Sequence, residues 1–176
     1  MGDLKGNLPR LLRHHYQGYA AVLWTLTMEG RARGWLGPTI HAQFRELLLH
    51  AAVREEVWCP SYCLMPDHIH LDWIGMTAES DQLNGMRFLR RQLNPFLEPC
   101  HFQHQAHDRV LREEDRQRGA FARVCFYVLS NPVRARLAGG IEDWPFSGAL
   151  IPGYPDVHPA ESHYWETFWK LHDEHR

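Results

Sequence analysis

His68 and His70 are separated by one residue, in a segment (HIHLDWI, residues 68–74) whose polar and apolar side chains alternate. On a strand, alternation sends both imidazoles to one face and Ile69 to the other. Two neutral imidazoles on one face are half of a divalent-metal site. In a chain with 13 histidines, the same spacing also fits two surface or hydrogen-bonded histidines. Tyr127 and Asn131 stand four residues apart in a segment of helical period, so they share a helix face, with Arg123 one turn earlier. The apolar face of that helix is a different one, set by Phe121, Val124, Cys125 and Val128. A tyrosine off the core face and beside a cation has the chemistry of a nucleophile toward phosphorus; on spacing alone, a partly buried helix tyrosine is the better fit.

Charge along the chain is uneven. The 176 residues carry a formal net charge of −2, which argues against indiscriminate binding of polyanions. Yet residues 87–136 hold ten arginines, no lysine and five carboxylates. Arginine suits bidentate phosphate contact and base stacking better than lysine does, so this segment is where a nucleic acid is expected to touch. A solvated helix face would have the same composition. Cys59, Cys63, Cys100 and Cys125 are irregularly spaced, which favours neutral thiols over a zinc knuckle. No apolar run approaches the roughly 20 residues needed to span a bilayer. Residues 1–13 are polar and lack a signal-peptide pattern, so a cytoplasmic protein without a membrane partner is expected.

The elements that must carry these groups are legible as periods. Residues 18–28 (GYAAVLWTLTM) read as a buried strand. A helix is expected over 39–55 with Thr39 as N-cap, placing Ile40, Phe44, Leu47, Leu48 and Ala51 on one face. Residues 57–64 read as a strand in which Pro60 implies an edge or a bulge. After a turn at 65–67, the histidine strand pairs back as a hairpin. Residues 81–97 read as a helix with Leu83, Met86, Leu89, Leu93 and Phe96 inward, interrupted near Asn94-Pro95. Residues 102–112 fit a strand or an irregular segment equally. A helix spans 119–130, and a further helical turn covers 133–138. The tail holds several prolines and a short helix over 164–172. Hairpins with helices between them give an α+β fold, an antiparallel sheet covered by helices.

Two segments carry a family likeness. YCLMPDHIHLDW (residues 62–73) resembles the HUH motif of single-tyrosine transposases, in which a methionine-proline turn leads into histidine, hydrophobe, histidine. FYVLSNPVRARLA (residues 126–138) resembles the tyrosine motif of REP-associated tyrosine transposases, a bacterial branch related to the transposases of the smallest single-strand insertion sequences. FLRRQLN (88–94), FQHQAHDRVLREEDR (102–116) and WPFSGA (144–149) are similar to its supporting segments, in the same order. The likeness runs from about residue 19 to 149. Asp67 stands where asparagine is usual, and Ser130 replaces a common leucine.

This resemblance implies a ferredoxin-like antiparallel sheet with the HUH motif on a central strand and the tyrosine on a helix. It implies a transposase-like domain over 1–150 and a tail over 151–176. By position, Tyr127 matches the nucleophile, while His68, His70 and Asn131 match the metal ligands, with Mg²⁺ or Mn²⁺ the fitting ions. A phenol needs help to ionise, and the metal or Arg123 is expected to give it. Arg87, Arg90, Arg91, Arg123 and Arg134 are expected to contact DNA. The implied activity is single-strand cutting and strand transfer near DNA hairpins through a 5′-phosphotyrosine, on nucleoid DNA, by a monomer or homodimer. Two other readings remain: a domesticated DNA- or RNA-hairpin-binding protein without cutting activity, and a histidine-rich metal-binding module.

Overall fold

A computed structural model describes residues 10–154 and 157–175; most of the polar N-terminal segment, Pro155 of the tail and residue 176 lie outside it. Strand β1 (Ala21–Thr27) is followed by helix α1 (Pro38–Arg54), strands β2 (Val57–Met65) and β3 (His68–Gly75), helix α2 (Gln82–Leu93) and strand β4 (His107–Val110). Then come the short helix α3 (Glu113–Arg116), α4 (Arg118–Leu129), α5 (Asn131–Arg134), β5 (Ser147–Leu150) and α6 (Tyr164–Glu174). The five strands form one antiparallel sheet in the order β4-β1-β3-β2-β5. The first four make the ferredoxin-like arrangement, and the histidine strand β3 is central.

Each face of the sheet buries its own set of residues. Val22, Trp24 and Leu26 of β1 and Ile69, Leu71 and Trp73 of β3 face α1 and α2. Those helices contribute Phe44, Leu48, Met86 and Leu89. The opposite face, which carries His68, His70 and Asp72, lies under α4 and α6, where Phe121, Cys125, Tyr164 and Phe168 pack with Trp58 and Ile74. Pro60 explains how β2 serves both faces. Its register shifts between Trp58 and Ser61, a bulge that one proline without an N–H tolerates. Across the bulge the alternation changes phase, so Tyr62 and Leu64 join the α1/α2 side while Cys63 and Met65 lie on the histidine side.

Several boundaries differ from the periodic reading for local reasons. Helix α1 begins at Pro38 with Gly37 as N-cap, not Thr39, because proline at the first position needs no N–H partner. Helix α2 is capped by Asp81, whose carboxylate accepts from the Asn84 N–H at 3.0 Å. Gly85 lets α2 lie close to β3: a Cβ there would meet the Trp73 ring at 3.0 Å. At Asn94 the helix tightens to a 3-10 turn (Asn94–Leu97), so Leu97 is buried and Phe96, expected inward, is exposed. The open segment 102–112 supplies the edge strand β4. Strand β5, not anticipated, pairs with β2 and covers what would be a bare edge. Among the described residues, no helix is long and apolar enough to cross a membrane.

Candidate functional site

The β2–β3 hairpin is closed by Pro66 and Asp67, with Met65 paired to His68. This tight turn puts His68 at the first position of β3 and His70 one pleat later, both on the α4 side. Their Nε2 atoms converge to 3.1 Å. Each Nδ1 has its own partner: Asp67 Oδ1 lies 2.7 Å from His68 Nδ1, and Thr25 Oγ1 lies 3.0 Å from His70 Nδ1. Thr25 arrives through the β1–β3 register, in which it sits directly opposite His70. Burial, and then the charges of His68, Arg31 and Arg134, push the His70 imidazole down to about 4, so it is neutral at physiological pH. Burial of Asp67 acts to raise its carboxyl, but the His68 hydrogen bond and the nearby positive charges outweigh it and the carboxyl sits below its ordinary value.

The donor set fits a divalent ion. An ion with ligands at about 2.1 Å and cis angles near 90° needs donor atoms about 3.0 Å apart, close to the separation of the two Nε2 atoms. A carboxylate and a hydroxyl on the far ring nitrogens are the outer contacts that orient ligating histidines. Among the described residues no group of three His, Cys, Asp or Glu is placed to hold a metal ion, so an ion on the two imidazoles would need amide, water or substrate oxygens as further donors.

Helix α4 lies against β2 and β3 on this face. Its Val128 packs with Cys63 and Met65, the cross-strand partners of His70 and His68. The last turn of α4 is thereby held beside the histidine pair. Its outward face presents Tyr127, which is 51% exposed. Asn131 starts α5, and its amide nitrogen donates to the carbonyls of Tyr127 (3.2 Å) and Val128 (2.9 Å), closing the end of α4. Its amide oxygen has no hydrogen-bond partner among the described residues.

No family model and no curated protein sequence matches this chain. A solved structure described as a REP-associated tyrosine transposase bound to a REP hairpin does match in three dimensions, with a TM-score of 0.65 over 81% of this chain and 81% of that one, at 19% identity. The fold is shared with that transposase.

The expected arginines separate into different environments. Arg87 and Arg91 are exposed on α2, and the sheet lies between them and the histidines. Arg90 is committed internally: its guanidinium donates to the carbonyls of Gln103 and His104 and lies over the Phe102 ring at 5.9 Å. Arg123 is exposed, but its guanidinium reaches back toward Gly119, away from Tyr127. The cation on the Tyr127 ring is Arg134, at 4.2 Å from the ring centroid. Thr25 is thus the neighbour that sequence reasoning missed, and Arg134 was expected at DNA, not on the tyrosine ring. Thr25 carries no motif, and its role follows from strand register alone. Nothing in the spacing distinguished Arg134 from Arg123 as the cation on the ring.

Proposed function

We propose that the chain is a metal-dependent single-strand DNA endonuclease and strand transferase of the transposase type, cutting near DNA hairpins. The observation that carries this reading is the His68–His70 pair, oriented by Asp67 and Thr25, on the sheet face where the helix of an exposed tyrosine docks. The fold shared with a hairpin-bound transposase supports it.

In this reading His68, His70 and the amide oxygen of Asn131 hold Mg²⁺ or Mn²⁺. The ion supplies Lewis-acid polarisation of a non-bridging oxygen of the scissile phosphate. Tyr127 Oη attacks phosphorus in line; the P–O3′ bond breaks, the phenol proton passes to solvent, and the leaving 3′-oxygen takes a proton from solvent to become a hydroxyl. The 5′-phosphate stays on Tyr127. Attack by a 3′-hydroxyl on that phosphotyrosine reverses the step and restores the phenol, so rejoining needs no nucleotide cofactor. Asp67 and Thr25 keep both Nε2 atoms free of protons for ligation. Arg87 and Arg91 contact phosphates of the hairpin away from the cut, and Arg123 contacts the strand beside it. The substrate is bacterial chromosomal DNA in the cytoplasm, and the protein acts as a monomer or homodimer.

The test is a labelled hairpin oligonucleotide with single-stranded flanks, incubated with protein and Mn²⁺ and then denatured. A covalent protein–DNA adduct is expected for the wild type, and none for Tyr127→Phe or in EDTA. Tight hairpin binding without any adduct across a range of hairpins would instead identify a catalytically silent hairpin-binding protein.

A further inference from the structure

Arg134 belongs by sequence to the basic segment expected to meet DNA phosphates, yet its surroundings point elsewhere. Its guanidinium carbon stands 4.2 Å from the Tyr127 ring centroid, against 5.3 to 5.9 Å for the other cation–ring pairs among the described residues. Among those residues no carboxylate pairs with it. The contact is built into a rigid turn. Helices α4 and α5 are joined by Ser130 alone, whose hydroxyl donates to the Tyr127 carbonyl at 2.9 Å. The Arg134 N–H donates back to the Ser130 carbonyl at 3.0 Å, and Asn131 ties both ends together. Arg134 is therefore carried to the ring by backbone geometry, whereas the ring itself is half exposed. Helix α5, which carries Arg134, itself lies against β2, the strand paired with the histidine strand.

Resting on the nuclease reading above, we propose that Arg134 is a positioning residue for the nucleophile: its guanidinium stacks on the Tyr127 ring and holds the phenol oxygen toward the phosphate bound at His68 and His70. An exposed tyrosine otherwise samples several rotamers, and only one places its oxygen in line. A planar guanidinium suits this role better than an ammonium does, because it stacks on the ring as well as attracting its face.

The experiment separates positioning from DNA contact. Wild type, Arg134→Gln, Arg134→Lys and Arg91→Ala are compared for hairpin affinity in EDTA and for the single-turnover rate of adduct formation at saturating hairpin with Mn²⁺. Arg134→Gln is expected to lower the saturated rate about tenfold or more while leaving affinity unchanged. Arg134→Lys should recover part of that loss, and Arg91→Ala should show the opposite split. An unchanged saturated rate in Arg134→Gln, or a loss confined to affinity, overturns the proposal. A second readout is independent of cutting: with fluorotyrosine at position 127, the fluorine resonance should move between wild type and Arg134→Gln. If it does not move, the ring contact is absent, whether or not the protein cuts DNA. If it moves but wild type forms no adduct, the nuclease reading fails and the contact stands.

Discussion

Each imidazole of the His68–His70 pair is gripped from behind, and the two grips have different origins. Asp67 is the chain neighbour of His68, so its contact is local. Thr25 lies 45 residues before His70 and reaches it only because β1 pairs with β3 in one register. A hydroxyl in that position orients the ring without adding charge. Thr25→Val keeps the branched shape and removes the partner. It is expected to raise the Mn²⁺ concentration for half-maximal adduct formation by about tenfold or more, at unchanged thermal midpoint. A metal titration of adduct yield checks this, and an unchanged midpoint in Mn²⁺ would remove Thr25 from the site.

Two elements do more than their surface composition announces. Helix α2 carries three arginines, but only Arg87 and Arg91 face water, because Arg90 braces the helix against residues 103–104. Arg90→Ala is expected to cost about 1.5–3 kcal/mol in chemical denaturation, the range for hydrogen bonds from a charged group. Arg91→Ala should leave stability alone, weaken hairpin binding, and reduce the slope of log affinity against log salt by about one. Equal effects of the two changes on affinity and on stability would refute this division. Strand β3 has its own hidden feature. Asp72 is 1% exposed beneath α4, and burial, outweighing the Ser61 hydrogen bond, pushes its carboxyl up to about 7. In the unfolded chain it ionises near 3.8. The folded state thus holds this proton over the window from about 3.8 to 7, and the stability it contributes at acid pH is lost as pH rises through 7. Asp72→Asn escapes that loss, so its advantage over wild type in thermal midpoint should grow from pH 4 to pH 8. A constant difference across that range would show that Asp72 stays ionised.

At the scale of the molecule, the site depends on a helix far along the chain. Helix α6 packs Phe168, 1% exposed, against Phe121 of α4 and Trp58 of β2, with the two phenyl rings stacked at 6.4 Å. Helix α4 is therefore clamped between the sheet and α6, and Tyr127 at its far end inherits that rigidity. Phe168→Ala is expected to cost about 3–5 kcal/mol in denaturant unfolding. It should also slow adduct formation more than it weakens hairpin binding, since α2 and its arginines lie across the sheet. A variant that loses binding and cutting in proportion would show that the two faces are not separable.

The sequence by itself determined what depends on near neighbours. Alternation at 68–74 was enough to put both histidines on one face, and the helical period was enough to turn Tyr127 away from the core. Pro60 limited β2 to an edge or a bulge, and the α+β class followed from the order of periods. The ferredoxin-like order and the central place of β3 came from resemblance and agree with the fold. What only the tertiary structure decided depends on groups distant in sequence. It set the β1–β3 register that brings Thr25 to His70. It put the sheet between the α2 arginines and the histidines, and it made Arg134, not Arg123, the cation on the tyrosine ring. Side-chain periods are local properties of a backbone, whereas strand register and the direction of a long arginine are settled by packing against elements that the local sequence does not contain.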